Sequence, residues 1–434
     1  MTVLSAIGIL LCFILLIFGA WKKASMFLVA VIGSGIIAVL SGLNVAETIT
    51  GPYMQGFTSF VSAWIVVISL GSLLGNLYGE SGAAWRIGEM MMKHTGPKWG
   101  LLVYIAVGVL LVYSGIQVPV TLFVLLPFAK IIFPMAGIPW YLFPGITGLA
   151  TATFAMGFLP GSLQIINLIP AQAFGLTPMS APVEGIVATV FILVVGVLYI
   201  NYEVKKGKDD PEGNLECYTI GGASVDEEKL KATAPKFVVS LIPMLVTLVL
   251  INIVHVNLIY GLAIGCILAI AFFHKSIVHL PQCLANGFNG GVMPCVLVSS
   301  VVGLGSVISA TPVFGVIQQS VIHLPIPGLL KIAAITTIMA GITASASGGL
   351  KLTMELFGKQ FLSWGFPPTI IHRVAAIASG GLDSLPWNGS IVMMFSMSGV
   401  GYSKGYKAVF VLTVLLPMLS SIVAIITYHL TQLF

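Results

Sequence analysis

Apolar residues follow one another along most of this chain in runs of about 20, a length that crosses the hydrocarbon core of a bilayer as one helix. The runs are 3–20, 25–43, 58–79, 100–113 with 117–135, 139–157 leading into 160–175, 183–202, 237–254, 257–273, 288–310, 326–344 with 348–363, 370–400 and 405–432. Several are interrupted by glycine or proline, which break helices. The pattern predicts an all-α polytopic membrane protein.

The interruptions are of two kinds. Residues 100–135 are interrupted at mid-length by a polar stretch, 113–119, that contains glycine and proline. This run must turn back as a re-entrant hairpin if the charged segments before and after it are both to lie in the cytoplasm. The run 326–363 predicts a second hairpin, entering from the opposite side. The runs 139–175 and 370–400 predict broken helices.

Composition strengthens the membrane interpretation. Hydrophobic residues make up 58% of the chain and charged residues only 8%, whereas charged residues are about a quarter of an ordinary soluble protein. These values exclude soluble enzymes, nucleic-acid binders and disulfide scaffolds as first hypotheses. We therefore expect lipid, and no nucleic acid, among the partners.

The few charges predict the topology. Lys22 and Lys23 place the first loop in the cytoplasm and the N-terminus outside, because basic residues favour the cytoplasmic side. Residues 80–98 then form a cytoplasmic interfacial helix. The stretch 203–236 carries eight acidic residues and six lysines, and it predicts a flexible cytoplasmic linker between the halves.

The two halves of the chain, 1–202 and 237–434, align with each other at a shift of about 230 residues. Ser114-Gly115 then meets Ser347-Gly348, and Leu159-Pro160 meets Leu385-Pro386. On the predicted topology, span 58–79 runs inward and span 288–310 runs outward, so the repeats are inverted. Inverted repeats with paired broken helices are typical of secondary transporters, which bind substrate near the midplane.

Two longer runs carry a family resemblance. Met156-Gly157-Phe158-Leu159-Pro160-Gly161-Ser162 and the stretch from His372 through Gly380-Gly381-Leu382-Asp383-Ser384-Leu385-Pro386-Trp387-Asn388 to Gly389 resemble the gluconate:proton symporter (GntP) family of bacterial permeases, within the ion transporter superfamily. The resemblance extends to 75–88 and 345–349. It implies a bacterial inner-membrane homodimer, with a scaffold domain and a mobile transport domain that moves by an elevator mechanism.

The resemblance is closer to family members for short hydroxy-acids, such as 3-hydroxybutyrate, than to the gluconate permeases. Gluconate permeases carry an acidic residue in the first hairpin, where this chain has Ser114-Gly115-Ile116-Gln117. They also carry a His- and Pro-rich run where this chain has Gly161-Ser162-Leu163-Gln164, and family members often have His at the position of Trp387. The resemblance therefore implies a small hydroxy-monocarboxylate, with gluconate or another sugar acid as the alternative.

Serine, glycine and amide residues cluster at the predicted hairpin tips and helix breaks. Helix N-termini and hydroxyl groups can hold a carboxylate there without a full positive charge. The candidate substrate-binding residues are Ser114, Gly115, Gln117, Gly161, Ser162, Ser345, Ser347, Gly348, Gly349 and Asn388. Gln164 and Asn167 are further amides at mid-span. Close helix packing and interhelical hydrogen bonding are the competing interpretation for each of these residues.

Asp383 is an acidic residue inside an apolar run, and ionisable groups at that depth are usually functional. It could carry the coupling proton or help to ligate sodium, together with Ser379, Gly380 and His372. The alternative is an N-cap for a half-helix that begins near Leu385. No cofactor is predicted besides the coupling ion, H+ or Na+.

The remaining charged residues have simpler explanations. Arg373 could pair with Asp383 or with the substrate carboxylate, but an interfacial anchor also fits its position. Lys351 and Glu355 are spaced for an intrahelical ion pair.

Other function classes are less well supported by the motifs. A channel would show rings of like charge or a filter motif. An intramembrane protease would show a metal motif such as HExxH, and a primary pump would show a nucleotide-binding P-loop. We therefore predict a transporter and not an enzyme.

Overall fold

The computed structural model describes residues 2–22, 24–113, 118–162, 164–207, 234–252, 254, 256–323 and 325–433. Within these ranges every regular element is a helix, which confirms the predicted all-α class. The helices of the first half are α1 (Thr2–Trp21), α2 (Met26–Leu40), α3 (Val45–Thr48), α4 (Met54–Glu80), α5 (Ala83–Thr95), α6 (Gly100–Tyr113), α7 (Val118–Ala136), α8 (Phe143–Thr151), α9 (Phe154–Gly157), α10 (Ile165–Phe174) and α11 (Pro182–Gly207).

The second half continues with eleven α-helices in its described ranges. They are α12 (Phe237–Asn252), α13 (Leu258–Phe273), α14 (Leu280–Asn289), α15 (Val292–Ser309), α16 (Pro312–Ile322), α17 (Gly328–Ile342), α18 (Ala346–Ser363), α19 (Pro368–Ala378), α20 (Gly389–Ser398), α21 (Tyr402–Phe410) and α22 (Leu416–Thr431). The predicted linker 203–236 begins inside α11, and most of it lies outside the described residues.

Four helices in the described ranges are long and apolar enough to cross a membrane, by length and composition. They are Val45–Glu80, Pro182–Gly207, Leu280–Ser309 and Tyr402–Thr431. A π-helical turn at Ile49–Tyr53 joins α3 to α4, so the first of these is a continuous helix of 36 residues. The apolar stretches of the other helices have 10–17 residues. This is the helix content of a multi-pass membrane protein.

Helices of the two halves pack against each other. Helix α4 packs against α13, α14 and α15, and α15 also packs against α2 and α20. Helix α5, within the stretch where an interfacial helix is predicted, carries an ion pair between Arg86 and Glu89 at 2.8 Å.

Two helix pairs correspond to the predicted hairpins. Helices α6 and α7 pack against each other, as do α17 and α18. We call them the first and the second hairpin. The described residues of the second hairpin include its tip, Thr343 to Ser345, whereas residues 114–117 of the first hairpin lie outside the described residues.

Two other helices are interrupted. The first interrupted helix consists of α8, α9 and α10, and its non-helical residues 158–162 are the first break. The second consists of α19 and α20, separated by residues 379–388, the second break. Helix α19 packs against α9 and α10, and α20 packs against α8 and α7. The two interrupted helices therefore lie side by side, each against a hairpin.

Candidate functional site

The second break separates two half-helices by ten residues that contain one short helical turn, Leu382–Ser384. Helix α19 ends at Ala378, and the Ser379 hydroxyl donates to the carbonyl of Ala376 at 2.9 Å. Leu385 is extended, with φ −67° and ψ 163°, because a residue that precedes proline disfavours the helical region. The chain therefore returns to helix only at Gly389.

Asp383 lies in the short turn of the second break and is 7% exposed. Its Oδ1 accepts a hydrogen bond from the Ser384 hydroxyl at 3.0 Å. Within the part of the chain that the structure describes, no ion pair includes Asp383. The carboxyl group is thus buried with a single side-chain partner, which is neutral.

Asp383 does not cap the following half-helix, so that alternative is wrong. Helix α20 begins at Gly389, four residues later than the predicted start, and its N-cap is Asn388. The Asn388 Oδ1 accepts from the backbone N–H of Ile391 at 3.1 Å. Asparagine is among the best residues for this position, because its side chain satisfies a free N–H of the first turn.

The tip of the second hairpin is built from a tight turn and a helix cap. Ala344 has φ 53°, a left-handed conformation that is unusual for alanine. Ser345 caps α18, and its hydroxyl accepts from the backbone N–H of Gly348 at 3.1 Å. The hydroxyl groups of Ser345 and Ser347 are 3.3 Å apart. Three predicted site residues therefore share one helix N-terminus.

Gly349 has a packing role at this tip. A Cβ atom there would overlap the backbone of Ala340 on the neighbouring helix α17, so a glycine is needed for the close approach of the two arms. The competing interpretation, close helix packing, describes the contacts of this residue.

The second break and the second hairpin are joined by side-chain hydrogen bonds. The Asn388 amide, which caps α20, also donates from Nδ2 to the carbonyl of Ala344 at 3.0 Å. The indole of Trp387 donates to the carbonyl of Gly341 at 3.3 Å. Its ring also stacks on Phe13 of α1 at a centroid distance of 4.3 Å. The N-termini of α18 and α20, capped by Ser345 and Asn388, therefore meet at the hairpin tip.

At the first break, side chains donate hydrogen bonds to backbone carbonyl groups of the break and of the helix before it. Gly161 has φ +79°, a conformation that requires glycine at this turn. Ser162 is fully buried, and its hydroxyl donates to the carbonyl of Ala155 at 3.0 Å. Tyr113, at the end of α6, donates to the carbonyl of Pro160 at 2.9 Å. The first hairpin thus reaches the first break, as the second hairpin reaches the second break.

The amides predicted at mid-span connect backbone segments. The Gln164 Nε2 donates to the carbonyl of Val112 at 2.6 Å. The Asn167 Nδ2 donates to the carbonyls of Ser162 and Pro178 at 3.0 and 2.9 Å. The Gln164 contact reaches α6 and fits the competing interpretation of interhelical hydrogen bonding, whereas the Asn167 contacts join α10 to the non-helical residues on either side of it.

The remaining predicted residues of the first hairpin are Ser114, Gly115 and Gln117. All three lie outside the described residues.

Arg373 is fully buried, so the prediction of an interfacial anchor is wrong. Its Nε and Nη2 donate to the carbonyl of Ser180 at 3.1 and 2.7 Å, and Nη2 also donates to the carbonyl of Pro178 at 3.2 Å. Its Nη1 donates to the carbonyl of Gly157 at 2.7 Å and to the Asn167 Oδ1 at 3.2 Å. A guanidinium has five N–H groups, and these five bonds use all of them. None remains for Asp383 or for a substrate.

His372 lies beside Arg373, and its hydrogen bond is to α10 of the first interrupted helix, not to the second break. It is fully buried, and its Nε2 is 2.8 Å from the carbonyl of Asn167. Because a carbonyl only accepts, Nε2 carries the hydrogen. Within the described residues, Nδ1 is buried without a hydrogen-bond partner.

Lys351 and Glu355 form the ion pair that their spacing predicts, at 3.9 Å, and their side chains are 69% and 56% exposed. No group of three His, Cys, Asp or Glu side chains that could hold a metal ion occurs among the described residues.

A comparison with known proteins shows which family the chain belongs to. The family model described as GntP family permease matches residues 1–280, which is more than half of the chain. The chain belongs to the GntP permease family.

The relatives of this GntP permease are permeases and transporters, which are not enzymes. The uncharacterized transporter YxjC of Bacillus subtilis (strain 168) is 29% identical over an alignment of 449 residues, gaps included, which covers 94% of this chain and 95% of the relative. The gluconate permease of Zymomonas mobilis subsp. mobilis is 27% identical over 53% of this chain and 49% of its own length. The high-affinity gluconate transporter of Escherichia coli (strain K12) is 23% identical, with 65% and 64% covered.

Two residues of this GntP permease make contacts that the sequence did not predict. One is Trp387, whose indole bonds the carbonyl of Gly341, two residues before the tip of the second hairpin, and its position next to Asn388 is a signal that could have revealed the contact. The other is Gly185 at the start of α11, where a Cβ atom would overlap the carbonyl of Phe158 and approach the Arg373 Nε to 3.1 Å. No sequence motif marks Gly185, because its neighbours come from distant parts of the chain.

Proposed function

We propose that this GntP permease is an ion-coupled symporter for a small hydroxy-monocarboxylate of the 3-hydroxybutyrate type. On this proposal it works in the bacterial inner membrane, with the linker 203–236 in the cytoplasm. The inverted halves, the scaffold and transport domains, the homodimer and the elevator motion belong to the same proposal.

The observation that carries the proposal is the meeting of two helix N-termini at the second hairpin. Each N-terminus offers free N–H donors and about half a positive charge. Together with the hydroxyls of Ser345 and Ser347, α18 and α20 would hold a carboxylate without any lysine or arginine. The tie between Asn388 and Ala344, at 3.0 Å, brings these two N-termini to one point.

The other predicted binding residues would complete the site from the opposite side. Gly161 offers its backbone at the first break, and Ser114, Gly115 and Gln117 would act from the tip of the first hairpin. Ser162 would act through the position of its backbone, because its hydroxyl already bonds Ala155.

Asp383 would couple transport to the ion gradient. The carboxyl group is buried in the second break, five residues before the cap of α20. It would take up a proton, or it would ligate sodium together with backbone carbonyls near Ser379 and Gly380. His372 is the weaker candidate for this role, because its hydrogen bond is to Asn167 of the first interrupted helix.

Sugar acids are the second candidate substrate class. The names of three relatives favour it, since two are named for gluconate and the third is the Gnt-II system L-idonate transporter of Escherichia coli (strain K12). Gluconate, idonate and 3-hydroxybutyrate each have one carboxylate and at least one nearby hydroxyl group. The site chemistry described above fits all of them, and a substrate panel separates them.

The test is uptake into proteoliposomes that contain the purified protein. Labelled 3-hydroxybutyrate, gluconate and a carboxylate without a hydroxyl group are supplied under a proton gradient, a sodium gradient or no gradient. We expect concentrative uptake of a hydroxy-acid with one gradient only, and its loss when an ionophore collapses that gradient. Uptake that never exceeds equilibrium under either ion gradient, or no uptake of either hydroxy-acid, would refute the proposal.

A thermal-shift panel gives an independent reading of the substrate class. A ligand that binds the native protein stabilises it by mass action, by about 2.7 kcal/mol at 100 times its Kd. We expect the transported acid to raise Tm more than the acid without a hydroxyl group does. Repeating the panel with and without sodium tests the coupling ion.

A further inference from the structure

The five hydrogen bonds of Arg373 connect the two interrupted helices. Arg373 lies on α19 of the second interrupted helix, and every acceptor belongs to the first one or to the connection that follows it. Gly157 is the last residue of α9, and Pro178 and Ser180 lie between α10 and α11. The acceptors lie 193–216 positions away along the chain.

Asn167 extends this connection to the turn at the first break. Its Oδ1 accepts from Arg373, while its Nδ2 donates to the carbonyls of Ser162 and Pro178. The N–H of Gly161 also donates to the carbonyl of Pro178 at 3.0 Å. The position of the Gly161-Ser162 turn thus depends on groups that Arg373 holds.

The positive charge of Arg373 is opposite in sign to the partial negative charge of the carbonyl oxygens that it bonds. The carbonyl of Gly157 is at the C-terminal end of α9, which carries a partial negative charge. Lysine could not replace this arrangement, because an ammonium group has three donors and lacks the planar fork of the guanidinium. Gly185 leaves room for the guanidinium, since a Cβ atom there would come within 3.1 Å of Nε.

We propose that Arg373 is a positioning residue that fixes the Gly161-Ser162 turn of the first break against the second interrupted helix. It touches no substrate, because its donors are all occupied by the protein. Its effect on transport rests on the proposed function, in which Gly161 forms part of the binding site. Its effect on the geometry of the first break does not depend on the proposed function.

The first experiment needs no substrate. Hydrogen–deuterium exchange is measured on the purified full chain in detergent for wild type, for Arg373→Lys and for the control Arg86→Lys, which changes the arginine of the ion pair on α5. We expect Arg373→Lys to speed exchange about tenfold or more in peptides covering 157–168 and 176–182, because local opening becomes easier. Peptides of α1, α4 and the second hairpin should keep wild-type exchange.

The second experiment measures uptake kinetics of the same variants in proteoliposomes. A displaced binding turn raises KM for the transported acid, and a displacement of about 1 Å can cost up to about a hundredfold. We expect KM to rise about tenfold or more for Arg373→Lys, with a smaller change in maximal rate and no change for Arg86→Lys. Gly185→Ala, which moves the guanidinium without removing it, should show the same pattern.

The outcomes separate the two proposals. Exchange that is unchanged, or faster throughout the protein, would overturn the positioning role. Faster local exchange with an unchanged KM would instead exclude Gly161 from the binding site. If Arg373→Lys does not fold, Asn167→Ala takes its place, and it removes the side-chain link while leaving four of the five bonds of Arg373. A wild type that transports no hydroxy-acid would refute the proposed function, whereas the exchange test of Arg373 would still stand.

Discussion

The two breaks satisfy the same requirement with opposite chemistry. A broken helix leaves carbonyl and N–H groups unpaired inside the membrane, and each must find a partner. Beside the first break a buried cation, Arg373, supplies five hydrogen bonds to residues that flank it. At the second break neutral side chains, Trp387 and Asn388, supply the links, and the charged group there is an acid, Asp383.

The difference predicts different mobility. Hydrogen bonds from a charged group contribute about 1.5–3 kcal/mol each, against about 0.5–1.5 kcal/mol for neutral pairs. The first break is therefore the costlier one to open. The second break and its hairpin are held by weaker links, next to the carboxyl group that we assign to ion coupling. Four substitutions test this comparison.

Asp383→Asn should have the largest effect on transport. The amide keeps an acceptor for Ser384 but has no ionisable proton, so we expect gradient-driven uptake to fall to background while folding is kept. Ion-driven uptake in proteoliposomes is the measurement, with size-exclusion chromatography to check folding. Glu355→Gln, the same chemical change at an exposed site, is the control. Full concentrative uptake by Asp383→Asn would exclude Asp383 from coupling.

Arg373→Ala should have the largest effect on stability. Removing the guanidinium leaves the carbonyls of Gly157, Pro178 and Ser180 buried without this partner, and we expect a loss of about 3–5 kcal/mol. Thermal unfolding in detergent reports the change as a lower Tm. A Tm within a degree of wild type would show that water replaces the guanidinium, and the contrast between the breaks would disappear.

Asn388→Ala should have an intermediate effect. It removes an N-cap, which costs about 0.5–2 kcal/mol, and it also removes the link to Ala344. Asn257→Ala is a matched control, because Asn257 also caps a helix, α13, through its side-chain oxygen. We expect both variants to lose stability but only Asn388→Ala to lose substrate affinity in the thermal-shift panel. Equal affinities would assign Asn388 to capping alone.

Lys351→Gln should have the smallest effect. The pair with Glu355 is 3.9 Å apart and exposed, and such pairs contribute about 0.5 kcal/mol or less. We expect Tm and uptake close to those of wild type. A marked loss of uptake would mean that Lys351 turns towards the bound anion, and the site at the second hairpin would then hold a full positive charge.

Much of the fold could be predicted because it depends on local composition. Glycine and proline mark both breaks, and the predicted half-helix 160–175 corresponds to Ile165–Phe174 in the structure. The start of α20 was predicted four residues too early, because the extended Leu385 and the residues after Pro386 delay the return to helix. The pattern of apolar residues does not determine where a helix starts when a proline lies shortly before it.

The role of Arg373 could not be predicted, for a physical reason. An arginine next to His372, at the start of an apolar run, fits a position at the membrane boundary as well as it fits a buried position. Its burial depends on carbonyl groups about 200 positions away, which only the tertiary packing brings to it. Asp383 was easier, since an acid inside an apolar run has few structural explanations.

The continuous helix Val45–Glu80 also relates this permease to its lipid surroundings. At 1.5 Å per residue its 36 residues extend about 54 Å, compared with about 30 Å for the hydrocarbon core. Such a helix must tilt steeply or project from the bilayer, and α15 packs against it. A thinner or thicker host membrane would change the tilt of this helix and strain its contact with α15. Bilayer thickness therefore acts on this protein as a mechanical variable.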